Sequence, residues 1–153
     1  MVRKEKYELP PEAIREMIIN AHCHRNLLDE SCIQVAVYDD RLEVTSPGGL
    51  YNGLTYEEVM NGHSKIRNKG IANIFSQMGL VEAWGSGIKR ILNAAEEYGL
   101  PKPKFQEFDN MFRVELFRSS FPMTNEKEDI GETSEKHRRN KRKLILIVPS
   151  WKY

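Results

Sequence analysis

Apolar residues recur along this chain at two different spacings, and the switches between them outline its elements. Ile14, Met17, Ile18 and Ala21 fall at i, i+3, i+4 and i+7 behind Pro10-Pro11, which predicts a helix opening where proline's missing N–H costs nothing. The period then drops to two. Ile33, Val35 and Val37 alternate with Gln34 and Ala36, the acidic turn Asp39-Asp40-Arg41 follows, and Leu42-Glu43-Val44-Thr45 completes a predicted hairpin. Ser46-Pro47-Gly48-Gly49 ends the second strand, since proline gives no ladder donor and paired glycines suit a turn.

Between Leu50 and Trp84 the pattern is that of loop and short helix. Thr55 is an expected N-cap with Glu57 and Glu58 near the positive helix end, and Ile71, Ile74, Phe75 and Met78 mark a short amphipathic helix closed by Gly79. Gly85-Ser86-Gly87 opens the clearest helix, with Ile88, Ile91, Leu92 and Ala95 on one face and a stop at Gly99 and Pro101. Strands are expected at Lys104–Phe108 and Phe112–Phe117, joined at Asp109-Asn110, with Phe112, Val114 and Leu116 pointing inward against Arg113 and Glu115. This order predicts an α+β fold, a two-layer sandwich of helices on a mostly antiparallel sheet. Residues 1–118 form the expected domain. Residues 119–153 read as a charged linker or tail, disordered or a truncated continuation, with one short apolar run at Leu144–Val148.

Composition narrows the class. With 153 residues, 40% hydrophobic and 29% charged, the chain has the make-up of one globular domain. No stretch reaches the ~18 apolar residues of a membrane span, and Cys23 and Cys32 cannot build a disulfide framework, so a reduced cytoplasmic protein without a membrane partner is expected. Residues 1–125 carry 15 Lys+Arg against 17 Asp+Glu, while residues 126–153 carry 8 against 5. Electrostatic attraction to DNA therefore rests on the tail, Lys136 to Lys143, although such a run more often means a solvated tail.

Three groups of residues carry candidate chemistry. Glu16 and Asn20 lie within about 40° of each other on the first helix, away from its apolar stripe, with His24 continuing the line. A carboxylate can orient water, and an amide oxygen can ligate Mg²⁺; a solvated helix face is the plain alternative. Backbone amides at the glycine-rich junctions Gly48-Gly49 and Gly85-Ser86-Gly87 can receive phosphate, or simply admit a turn and a helix. Lys65 and Arg67 could close over a triphosphate or only solubilise a loop. Structural zinc is disfavoured, because His22 and His24 diverge on the helix and no Cys-x₂-Cys pair exists.

Four strings taken together resemble a known domain: Pro-Pro-Glu-Ala-Ile-Arg-Glu with Asn-Ala-His-Cys-His-Arg-Asn (10–26), Asp-Arg-Leu-Glu-Val-Thr-Ser-Pro-Gly-Gly-Leu (40–50), Arg-Asn-Lys-Gly-Ile-Ala (67–72) and Gly-Leu-Val-Glu-Ala-Trp-Gly-Ser-Gly-Ile-Lys-Arg-Ile (79–91). They are similar to the ATPase-like domain of RecG-related, AlbA/Schlafen-type transcriptional regulators, itself similar to the GHKL (Bergerat) nucleotide-binding fold of gyrase, histidine kinases and MutL. The resemblance implies ATP and Mg²⁺ as cofactors. It implies Glu16 as the water-activating residue, Asn20 as the Mg²⁺ ligand, Gly48-Gly49 and Gly85-Ser86-Gly87 as the two glycine boxes, and residues 51–84 as the lid. His24 and Arg25 fall at the pocket rim. Thr45 and Ser46 stand where the superfamily carries an adenine-binding Asp. Hydrolysis is expected to be slow or absent, and without a Gly-x₄-Gly-Lys-Ser/Thr loop the chain is no helicase motor. A dimerising scaffold for a DNA-binding regulator is the alternative, with a homodimer or DNA as partners. The winged helix and the AlbA-like domain of relatives are expected to be missing.

Overall fold

A computed structural model describes residues 7–81 and 85–119, and the backbone of 144–148. The elements are α1 (Pro11–His24), β1 (Ile33–Val37), β2 (Arg41–Pro47), α2 (Tyr56–Met60), α3 (Lys69–Gln77), α4 (Gly87–Glu97), β3 (Lys104–Phe108), β4 (Met111–Phe117) and β5 (Leu144–Val148). The strands form one sheet in the order β3-β4-β2-β1-β5, and each neighbouring pair is antiparallel. The expected α+β sandwich is therefore the observed one.

Alternation along the strands decides which face receives the helices. Ile33, Val35, Leu42, Val44, Phe105, Val114 and Leu116 turn to one side, where they bury against Ala13, Met17 and Ala21 of α1 and Ile91, Ala94 and Ala95 of α4. The other face carries charge. Glu43 and Glu115 sit directly opposite each other in register, and Arg41 Nε donates to Glu43 at 2.7 Å and approaches Glu115 at 3.6 Å. Burial and the facing Glu43 push the Glu115 carboxyl above its usual range, as expected for like charges across a strand pair.

Local signals explain the element ends. Thr55 caps α2 in a reciprocal box: Glu58 N donates to Thr55 Oγ1 at 3.2 Å and Thr55 N to Glu58 Oε2 at 2.8 Å. At the end of α4, Leu100 N reaches back to Ala95 O at 2.9 Å in a Schellman arrangement.

The structure departs from the sequence reading in three places. First, α1 is buried on more than one side: Ile19 and Cys23 join Ala72 of α3 in a second core, and Glu16, placed by spacing on a polar face, is itself buried. Second, α3 buries Ala72 while Ile74 and Met78 stay exposed. Third, Leu144–Val148, read as part of the tail, pairs with β1 from Val37↔Leu144 to Ile33↔Val148. The remainder of the expected tail, 120–143 and 149–153, lies outside the described residues.

Candidate functional site

Distant parts of the chain meet in one cleft between the sheet and the helices. Glu16, Asn20 and His24 enter from α1, and Val44 and Ser46 from β2. Phe105, Phe112 and Val114 come from the β3–β4 hairpin, and Gly85 and Gly87 from the start of α4. Gly48 and Gly49 form one rim, and Leu54, Val59, His63 and Lys65 of the expected lid form another. The space measures about 120 Å³, several times the ~10–15 Å³ that a single water needs, so it is a pocket rather than a packing fault.

Its polar end is built by a close approach of two helices. Asn20 Nδ2 donates to Glu16 Oε1 at 3.3 Å, a bond that their i, i+4 nearness allows. The first residue of α4 lies directly on that pair: a Cβ at Gly87 would fall 2.5 Å from Glu16 Oε1 and 2.6 Å from Asn20 Nδ2. A side chain there would have to push the ends of Glu16 and Asn20 out of their present places. The opening N–H groups of any helix lack intrahelical partners and carry partial positive charge, so α4 presents a donor surface beside Glu16 and Asn20. Ser86 is the N-cap residue, and its side chain makes no capping bond. Arg90 Nη1 stands 3.8 Å from Glu16 Oε2. Burial nevertheless dominates and raises the Glu16 carboxyl above its ordinary value, against the lowering pull of Arg90 and the Asn20 hydrogen bond.

The first glycine turn is organised differently. Gly48 takes a positive φ of 100°, and its N–H donates to Asn110 O at 2.7 Å. Leu50 N donates to Glu107 Oε1 at 2.8 Å, and Gly49 N lies 3.4 Å from Asn110 Oδ1. The turn's amides are thus held by the β3–β4 hairpin. Its Gly49 carbonyl accepts from Arg67 Nη2 at 2.8 Å, with the guanidinium stacked 4.9 Å over the Tyr51 ring. Arg67 acts as a brace between lid and turn and does not line the pocket. Lys65 does line it, while its Nζ donates to Asn52 O at 2.8 Å.

Two further expected contacts are not brought to the cleft. Thr45 points to the charged face of the sheet, where its Oγ1 accepts from Arg113 Nε at 3.1 Å. Strand alternation makes this necessary, because Val44 and Ser46 face the pocket. Arg25 is buried at the end of α1, donating to Ser31 O at 2.8 Å, and is absent from the lining. His24 is on the rim as expected, its imidazole pKa lowered first by burial and then by Arg67. The bracing roles of Glu107 and Asn110 were not foreseen, since they act on a turn 57 to 61 residues away in sequence. Phe112 was expected as an inward strand position, and its place opposite Ser46 follows from register; Phe105, not singled out by the sequence, pairs with Val114.

Comparison with known proteins places the family and the fold. The family described as "Putative ATP-dependent DNA helicase recG C-terminal" matches residues 30–116, leaving Glu16 and Asn20 on the N-terminal side of the matched segment. The crystal structure of the DIP2311 protein from Corynebacterium diphtheriae is similar at a TM-score of 0.63 and 27% identity, over 75% of this chain. The match spans 24% of that protein's length. No curated protein matches.

Proposed function

Because the chain belongs to the RecG C-terminal ATPase-like family, we propose that its pocket binds ATP together with Mg²⁺, as a nucleotide-binding module of a cytoplasmic transcriptional regulator. The observation that carries this reading is the seating of α4's N-terminus on the Glu16–Asn20 pair, made possible by Gly87. It joins an anion-attracting helix end to a hard oxygen donor and a carboxylate, the set a metal-bound phosphate requires. The residues fit the ion: Asn20 spends its Nδ2 on Glu16, which leaves its Oδ1, also close to Gly87, as the ligand atom. When bound there, Mg²⁺ would offset phosphate charge. The apolar wall of Val44, Phe105, Phe112 and Val114 suits the flat body of a base.

Glu16 can take a proton from an attacking water, and the raised affinity of its carboxyl for protons favours that role. Hydrolysis in this reading is slow, because Arg90 and Asn20 already engage the carboxylate. A second reading, a non-catalytic scaffold supporting a DNA-binding partner or a second copy of the chain, is favoured by one feature. The amides of the Gly48–Leu50 turn are already bonded within the protein.

Thermal denaturation separates the two. Mg-ATP at 100 times its Kd should stabilise the protein by about 2.7 kcal/mol, with much less effect from ATP plus chelator. Asn20→Ala should weaken Mg-ATP binding. No shift at millimolar nucleotide refutes nucleotide binding and leaves the scaffold reading.

A further inference from the structure

The pocket holds a single carboxylate among its described lining residues, Glu16, and that group is committed to the polar end beside Gly87. The acidic side chains of the strand hairpin are directed elsewhere. Asp40 and Glu43 are bound by Arg41 at 2.9 and 2.7 Å, and Glu43 lies on the far face of the sheet. Thr45 faces that side too. Ser46 is therefore the polar side chain that the sheet presents to the apolar end of the cleft, 5% exposed and paired in register with Phe112.

From this we infer that the pocket accepts purine nucleoside triphosphates without distinguishing adenine from guanine, with Ser46 as the group that meets the base edge. The inference rests on the nucleotide-binding reading above and extends it to the substrate class. An ionised carboxylate can only accept hydrogen bonds, so where the purine turns its six-position to this wall it would take the amino group of adenine and oppose the carbonyl of guanine. A serine hydroxyl rotates and can either donate or accept. It satisfies both bases equally well and rejects neither, since rejection depends on leaving a buried polar group unpaired.

Calorimetric titration of the full chain with Mg-ATP, Mg-GTP and Mg-tripolyphosphate tests this. The two nucleotides should bind within about threefold of each other and both more tightly than tripolyphosphate, a narrower gap than the tenfold that 1.4 kcal/mol produces. Ser46→Ala should weaken both nucleotides alike, by about two- to tenfold, the effect of one lost hydrogen bond. Ser46→Asp should turn the site toward ATP by about tenfold or more. Should the buried Asp prevent folding, the wild-type ratio and the Ala variant decide. A wild-type preference for ATP of about tenfold or more overturns the inference and leaves nucleotide binding standing, as does an unchanged affinity in Ser46→Ala. Failure of all three ligands to bind overturns the nucleotide-binding reading itself.

Discussion

Replacing Gly87 by alanine should separate stability from ligand binding. The residue is the first of α4 and is not among those with a positive φ, so its backbone tolerates a side chain. A helical Gly→Ala exchange gains roughly 0.5–1 kcal/mol in propensity. Against that, the new Cβ would sit 2.5 Å from Glu16 Oε1 and 2.6 Å from Asn20 Nδ2, about 1 Å inside ordinary van der Waals contact. Both clashing atoms are the far ends of flexible side chains, so they can rotate away without moving either helix. The unfolding free energy of Gly87→Ala should therefore stay within about 1 kcal/mol of wild type. The pocket should not survive so well. A displacement of about 1 Å breaks the Glu16–Asn20 hydrogen bond and removes the metal-binding oxygen from its place, and misplacements of that size cost up to about 10²-fold where geometry is exacting. Parallel thermal denaturation and calorimetric titration with Mg-ATP would show a nearly unchanged melting curve and an affinity lower by about ten- to a hundredfold. An affinity within about twofold of wild type would refute the placement of phosphate at the α4 N-terminus.

Two other substitutions report on different steps. Glu16→Gln should retain Mg-ATP binding while any hydrolysis falls about 10²–10⁴-fold, measured as phosphate release; equal rates would show that Glu16 is not a working base. The same variant carries a pH signature. Burial raises the folded-state pKa of Glu16 above 4.5, so ionising it costs stability that is absent below that pH and complete above the raised value. The advantage of Glu16→Gln over wild type should thus grow as pH rises from 4.5 and then level off, and a constant difference in melting temperature would count against the burial argument. Arg67→Ala removes the bond to Gly49 O and the stack on Tyr51, and should cost about 1–2 kcal/mol in chemical denaturation. It should also raise the pKa of His24 towards its ordinary value in an NMR titration, because Arg67 is one of the charges that depresses it. An unmoved His24 would mean that burial alone sets that pKa.

What the sequence disclosed follows from the range of the forces involved. The periodicities of α4 and the first hairpin are local, and so is the Glu16–Asn20 contact one helical turn apart; each was legible because neighbours along the chain determine it. The opposite fates of Thr45 and Ser46 were also written in the strand, since residues one apart must face opposite sides of a sheet once Val44 is known to be inward. The burial of Glu16 was not legible in this way. Spacing placed it on a polar face of α1, and only the arrival of α4, with a glycine at the point of contact, turns that face inward. Arg67 shows the same limit from the other direction. Its charge invited a phosphate, whereas the fold gives its guanidinium a carbonyl and an aromatic ring. Leu144–Val148 is a five-residue apolar run that periodicity alone does not assign to strand or helix, and it stands after a long polar stretch; its partner is β1, more than a hundred residues earlier. Contacts between neighbours along the chain were thus legible, while the pairing of distant strands and the pocket's polarity depend on contacts that sequence spacing does not encode. That is why Gly87, which contributes no side chain at all, is the position at which the proposed chemistry is most exposed to a single substitution.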